Sequence, residues 1–249
     1  MSKDIITTEH ASLSSDYPDK TARRADCDNC HHRNRCVANQ ARLATRSFDI
    51  EEVVFEKGEL FQRDSAFEAR LYLLKSGSAQ VDYETVSGEL AVGGFYYPMQ
   101  VFCFDGQGNN LLRDRITALE KSRVCCMSLR RSGGDEPESV AKFIEVLRLV
   151  ALQKGRDRQF VATVISKSAK AKVAAFLLYV KELKNDTAIA GGEVILTMPR
   201  SSISSFLGIS IESVSRVLSI LSSEGVVEVF NRRVTIKKEA ELEKIAYFD

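Results

Sequence analysis

The sequence predicts an α+β chain: an all-β unit, then one long helix, then a helical unit closed by a small sheet. Three observations predict it. Short apolar runs recur between glycine and polar turns from about residue 50 to 130. Apolar residues then follow near-heptad spacing from about 137 to 166. Beyond Met198, two short helical patterns meet at a glycine and lead into two short strand patterns.

At 249 residues, 44% hydrophobic and 28% charged, the chain is long enough for two domains with separate cores. A net charge of +1 neither requires nor excludes a nucleic-acid partner. The first 26 residues are polar and lack the apolar core of a secretory signal, and no stretch is apolar enough to span a membrane. The chain is therefore expected in the cytoplasm. There, six cysteines mean metal binding, redox sensing or inert burial rather than a disulfide framework.

Residues 1–26 read as a loosely attached leader, and the segment to residue 46 carries Cys27-Asp-Asn-Cys30-His-His-Arg-Asn-Arg-Cys36. A two-residue gap lets two thiolates point at one centre, and a five-residue gap brings a third around from the other side. This spacing suits a metal or an iron–sulfur cluster and leaves one ligand to be found elsewhere. Arg23, Arg24, Arg33, Arg35, Arg42 and Arg46 surround the thiols and are expected to lower their pKa. A solvated basic tail explains the arginines but not the spaced cysteines.

In the all-β unit, 47–131, strands are expected at 52–55, 71–74, 79–83 and 123–127, with turns at Lys57-Gly58, Ser76-Gly77 and Ser87-Gly88. Many short strands at this spacing suggest an antiparallel barrel or sandwich. Next, Ser132-Gly-Gly-Asp-Glu-Pro137 is a break followed by a helix start, within a third unit at 132–166. The helix carries apolar residues at Val140, Phe143, Ile144, Leu147, Val150, Ala151, Val161, Val164 and Ile165. About 28 residues at 1.5 Å each reach roughly 42 Å, more than a small domain needs. A seam of this kind packs against a partner, here a second copy of the chain. Its dimerisation residues are expected to be Ile144, Leu147, Val150, Ala151, Lys154, Arg158 and Val161. The run Gln153-Lys-Gly-Arg-Asp-Arg-Gln159 puts glycine and charge where a heptad wants leucine. Like charges meeting across a symmetric seam would make the dimer marginal, so that a small signal decides it. The competing expectation is that the helix bends or faces solvent there.

The last unit, 167–249, opens with a helical stripe at Val173, Phe176, Leu177 and Val180 and a short strand at 193–197. A helix at 200–207 ends at Gly208, suited to a left-handed C′ position, and Ser210 is placed to cap the next helix. That is a helix-turn-helix pattern. In the second helix Val214, Val217, Leu218 and Leu221 face inward, which leaves Glu212, Ser213, Ser215 and Arg216 outward. Arginine can reach guanine O6 and N7, glutamate can accept from cytosine N4, and serine adapts to either. Strands at 226–229 and 234–236 flank Asn231-Arg232-Arg233 as a wing, with Arg232 and Arg233 as phosphate contacts. A surface ion pair is the plain alternative for Glu212 and Arg216.

Taken together, Cys-x2-Cys-x5-Cys at 27, 30 and 36, Ala118-Leu-Glu-x-Ser-x-Val-Cys125 and Glu212-x-x-Ser215-Arg216 resemble the CRP/FNR superfamily of bacterial transcription regulators, and within it the oxygen-sensing FNR branch. The resemblance runs from about Cys27 to the C-terminus. It implies a cyclic-nucleotide-binding-type β-roll, a long dimerisation helix and a C-terminal winged helix-turn-helix. It also implies a [4Fe-4S] cluster whose loss to oxygen weakens a homodimer, and inverted repeats of TTGAT-type half-sites as the double-stranded DNA target. RNA polymerase is the expected further partner, although no motif for it is legible.

The motif match selects Cys125 as the fourth ligand from Cys103, Cys125 and Cys126. Neighbours in a strand point to opposite faces, so Cys126 is expected in the core, and Cys103 is read as buried and inert. Arg156 stands where the family has an acidic residue, so repulsion would act with reversed sign. The superfamily's Gly-Glu and Arg-Ser/Thr phosphate cassette is missing from 94–110, so no cyclic nucleotide is expected. No histidine falls within the β-roll to serve as a haem ligand.

Two other functions compete. The thiols could form a zinc site, completed by His31 or His32, or a dithiol switch in the same kind of regulator. A Cys27-x-x-Cys30 oxidoreductase is the remaining one, but the motif lies outside any βαβ unit and no other catalytic constellation accompanies it. The chain is expected not to be an enzyme.

Overall fold

The computed structural model describes residues 22–36, 38–39, 50–61, 70–84, 87–103, 113–128, 137–185 and 193–248. The leader through residue 21, Arg42, Arg46 and segments 107–110 and 132–136 lie outside them, as do the side chains of Cys103, Val140 and Phe143.

Nine strands build two antiparallel sheets. They are β1 (Arg23–Arg24), β2 (Ile50–Phe55), β3 (Leu60–Phe61), β4 (Arg70–Ser76), β5 (Ala79–Glu84), β6 (Leu90–Tyr96), β7 (Val101–Cys103), β8 (Arg113–Ala118) and β9 (Ser122–Ser128). The sheet orders are β1-β2-β9-β4-β7 and β3-β8-β5-β6. Phe55, Leu74, Val81, Phe102, Ile116 and Val124 fill the space between them. Alternation then turns the next residues of the same strands outward: Leu71 and Leu73 on β4, Val101 on β7, Cys125 and Met127 on β9. This outward face is also apolar, because a second layer covers it. That layer is the N-terminal cysteine segment, which contributes Cys27, Cys36 and Ala38.

The leader reading is corrected here. Arg23 and Arg24 pair with Glu52 and Glu51, and Ala25 N–H donates to Ile50 O at 2.8 Å, so the chain is already zipped to the sheet before Cys27. Two charged pairs across the ladder and an otherwise unpaired β2 edge account for it. At the predicted turn, Gly77 adopts φ 88°, and a Cβ there would come within 2.3 Å of Ser122 Oγ. Only glycine permits that approach.

The long helix α1 (Pro137–Val164) begins at the proline that the sequence placed in its first turn. Gln153 does not face a partner across a seam. It is buried, and its amide oxygen accepts from Val101 N–H at 3.2 Å while its amide nitrogen donates to Val101 O at 3.1 Å. Among the described residues β7 is the sheet edge, and the Gln153 amide pairs its outer N–H and C=O in place of a further strand. Gln153→Leu is expected to leave both groups buried and unpaired, at roughly 1–3 kcal/mol each. Urea unfolding should show the loss, with Gln153→Glu recovering only the Val101 N–H bond.

The C-terminal unit comprises α2 (Ala169–Asn185), β10 (Glu193–Ile195), α3 (Arg200–Leu207), α4 (Ile211–Ser223), β11 (Val227–Phe230), β12 (Arg233–Ile236) and α5 (Glu239–Phe248). Its sheet runs β10-β12-β11. Helix α5 has no counterpart in the sequence reading, although Leu242, Ile245 and Ala246 are buried at helical spacing and acidic residues occupy its first turn. Among the described residues, no single helix is long and apolar enough to cross a membrane.

Candidate thiol site and nucleic-acid interface

Cys27, Cys30, Cys36 and Cys125 line one narrow cavity with Asp26, His32 and Lys75. The three early cysteines arrive on a chain of tight turns. Cys30 N–H donates to Cys27 O at 3.4 Å, Arg33 N–H to Cys30 O at 2.9 Å, and Arg35 N–H to His32 O at 3.0 Å. Asp26 caps the first turn by accepting from Asn29 N–H at 3.1 Å and from the Asn29 amide at 2.9 Å. Cys125 comes from the middle of β9, opposite Leu73. Cys126, one residue on, is also buried and by alternation lies on the face of Val124.

Burial, not basic charge, dominates at Cys36 and Cys125. It raises the Cys36 pKa and pushes Cys125 up to about 12, against the opposing charge of Lys75. The expected lowering by arginines is thus overturned for these two cysteines: Arg33, for one, donates to the Asp28 carbonyl at 3.0 Å. Lys75 is the cation set beneath the thiols. Burial disfavours its charge, but its ion pair with Glu52, with Cys125 and Cys30 nearby, raises its pKa overall. Arg123 shares the same Glu52 carboxylate at 3.2 Å. His32 Nε2 stands 3.2 Å from Lys75 O, whereas His31 is exposed. Four cysteines around one cavity fit the donor set of an iron–sulfur cluster. No group of three His, Cys, Asp or Glu side chains among the described residues converges closely enough to hold a metal ion as it stands.

At the other end of the molecule α3 and α4 meet at 101°, within the range of a helix-turn-helix. Gly208 makes the turn at φ 61°, ψ 43°. Ser210 caps α4, its Oγ accepting from Ser213 N–H at 3.2 Å, and Val214, Val217, Leu218 and Leu221 anchor the helix. Glu212 and Arg216 are exposed and Ser213 and Ser215 half-exposed. Arg216 donates to Ser213 Oγ at 3.2 Å, and Arg200 of α3 donates to Ser215 Oγ at 2.8 Å. The Glu212 carboxyl is held below its usual range by backbone and Ser210 hydrogen bonds, with a smaller part from Arg216. In the wing, Asn231 at φ 56° turns the hairpin and Arg232 is exposed at its tip. Arg233 instead reaches Glu193 of β10 at 2.6 Å.

A Crp-like helix-turn-helix domain matches residues 171–245. The transcriptional regulatory protein btr of Bordetella pertussis is 28% identical over 85% of this chain and 89% of its own. The fumarate and nitrate reduction regulatory protein of Escherichia coli is 24% identical over 88% of this chain and 90% of its own. Among solved structures, FixK2 from Bradyrhizobium japonicum shares the fold, with a TM-score of 0.64 at 22% identity over 80% of this chain and 98% of that one. The C-terminal unit is thus a Crp-like helix-turn-helix domain, and over most of its length the chain is similar to CRP/FNR superfamily regulators. It is a DNA-binding transcription regulator, and the proteins it resembles are regulators, not enzymes.

CRP/FNR regulators act as dimers, which bears on the exposed face of α1. Ile144, Leu147, Ala151, Lys154, Arg158, Val161 and Ile165 are all exposed and recur at alternating spacings of three and four. Val150 is half-buried and packs on its own chain, against the apolar cluster that includes Leu71, Val101 and Cys125. Arg156 is off this stripe, half-buried in a cleft with Phe160 and Tyr179. Asp157 accepts from the Tyr179 hydroxyl at 2.8 Å and lies 3.8 Å from Lys154 Nζ.

Proposed function

We propose that this regulator is oxygen-responsive through a [4Fe-4S] cluster held by Cys27, Cys30, Cys36 and Cys125, and that its homodimer binds inverted repeats of TTGAT-type half-sites. The observation that carries the reading is that four cysteines, three early and one almost ninety residues later, line a single cavity. When bound, the cluster supplies an oxygen-labile cross-link between the N-terminal segment and β9. The chain's part is to gather the thiols, to keep Cys27, Cys36 and Cys125 buried, and to set Lys75 where its charge offsets thiolate charge. Val150 of α1 packs against the same apolar cluster that holds Cys27, Cys36 and Cys125, which links the thiol segment to the helix bearing the exposed stripe.

Protein purified without oxygen should show a brown chromophore that bleaches in air with loss of dimer. A colourless protein holding stoichiometric zinc would replace this reading with a Cys27, Cys30, Cys36 and His32 site, since His32 lines the same cavity. RNA polymerase remains the proposed partner of the DNA-bound form.

For base reading, Arg216→Ala is expected to weaken binding to the TTGAT repeat by roughly 1–3 kcal/mol per half-site. Arg232→Ala should instead weaken all sequences alike and lower the salt dependence. Equal loss on scrambled duplexes for Arg216→Ala would remove it from base reading.

A further inference from the structure

We infer that the β-roll positions the DNA-reading unit through a docking surface in which Phe95, Ser78 and Glu120 meet Phe206, Ser205 and Thr197. The DNA-reading unit follows α1 through the short joint at 165–168 and packs back on it, where Tyr179 of α2 stacks on Phe160 at 4.5 Å and donates to Asp157. The structure supplies a second attachment. Phe95 and Tyr97 of the β-roll are buried in the same core as α2, α3, α4 and the wing. The Phe206 ring, from the first helix of the helix-turn-helix, meets Phe95 edge-on at 5.3 Å and stacks on Phe160 of α1 at 5.2 Å. One side chain therefore touches the β-roll, the long helix and the reader at once.

A polar row runs beside these rings. Val92 N–H donates to Ser205 Oγ at 3.3 Å. Ser78 Oγ lies 2.8 Å from both Glu120 Oε1 and Thr197 Oγ1. A hydroxyl has one proton, so Ser78 donates to the carboxylate and accepts from Thr197. Leu119 N–H donates to Ser78 O at 2.9 Å, which pins the Ala118-Leu119-Glu120 turn that leads into β9. Lys184 of α2 stands 5.6 Å from the Tyr97 ring centre. In a dimer this surface fixes the distance between the two recognition helices. The preferred half-site spacing is then set here, not by the side chains of α4.

The inference rests on the dimeric reading proposed above. The test uses the full chain in its DNA-binding form, with Phe95→Leu and the milder pair Ser78→Ala and Ser205→Ala. Duplexes carry two TTGAT-type half-sites at the preferred spacing, at spacings one base pair longer or shorter, or with scrambled half-sites. Each variant is expected to lose affinity several-fold at the preferred spacing and little at the others, so that the spacing preference flattens while rejection of scrambled half-sites persists. An unchanged spacing preference in folded variants overturns the inference, and so does an equal loss on every duplex. A wild-type protein indifferent to spacing overturns the dimeric reading and the inference with it.

Discussion

Cys125→Ala is expected to remove most of the iron and sulfide that the protein takes up, whereas Cys126→Ala keeps them. The two residues adjoin on β9 and are both buried. Replacing either with alanine deletes one sulfur from a packed site, so loss of packing is comparable and the pair controls for it. Their directions differ. Cys125 faces the cavity shared with Cys27, Cys30 and Cys36, and Cys126 alternates onto the opposite face. A cluster held by four thiolates loses a quarter of its protein ligands in the first variant and none in the second. Iron and sulfide assays on protein prepared without oxygen, with the visible spectrum, decide it. Equal retention in both variants would place the fourth ligand elsewhere, and zinc bound equally by wild type and Cys125→Ala would favour the site with His32.

Joint replacement of Lys154 and Arg158 by leucine is expected to tighten the dimer on the order of 100-fold or more. Both lie in the exposed stripe of α1 between Leu147 and Val161. In a symmetric seam each meets its own copy, so every basic residue faces a like charge that must be desolvated. Asp157 gives partial relief to Lys154 alone: one carboxylate oxygen lies 3.8 Å from Lys154 Nζ, a long and largely exposed pair worth little, while the other binds the Tyr179 hydroxyl. Burying a leucine in place of each is worth roughly 1.5–3 kcal/mol, and about 1.4 kcal/mol is a factor of ten. Sedimentation without oxygen and after exposure to air measures it. The variant should remain dimeric in air, and added salt should tighten the wild-type dimer but not the variant, because salt screens only the charged seam. No change in dimer affinity would place the interface on another face. Arg156→Leu is the control: that residue sits in the cleft beside Tyr179, so it should leave the dimer constant near wild type.

Much of this was legible in the sequence because it is local. Glycine at 77 and 208, the Ser210 cap and the proline at 137 mark their turns and helix ends through backbone constraints that a few residues carry alone. The inward stripe of α4 follows from helical period, which leaves Glu212 and Arg216 exposed and Ser213 and Ser215 half-exposed. Arg233 shows the limit. Sequence puts it in the wing, but its pairing with Glu193 depends on β10 joining the sheet from forty residues away.

The helix-turn-helix and the turn and cap residues around it are legible in the chain alone, since each depends on neighbours within one or two turns. Tertiary packing settled three further features. It brought Cys125 to the early cysteines, through strand order rather than spacing. It assigned Gln153 to the β7 edge and left Lys154 and Arg158 outside, because the facing of a helix depends on what it packs against. It raised the Cys36 and Cys125 pKa values where nearby arginines suggested the reverse, because desolvation is set by the whole fold and outweighs charges that point to solvent.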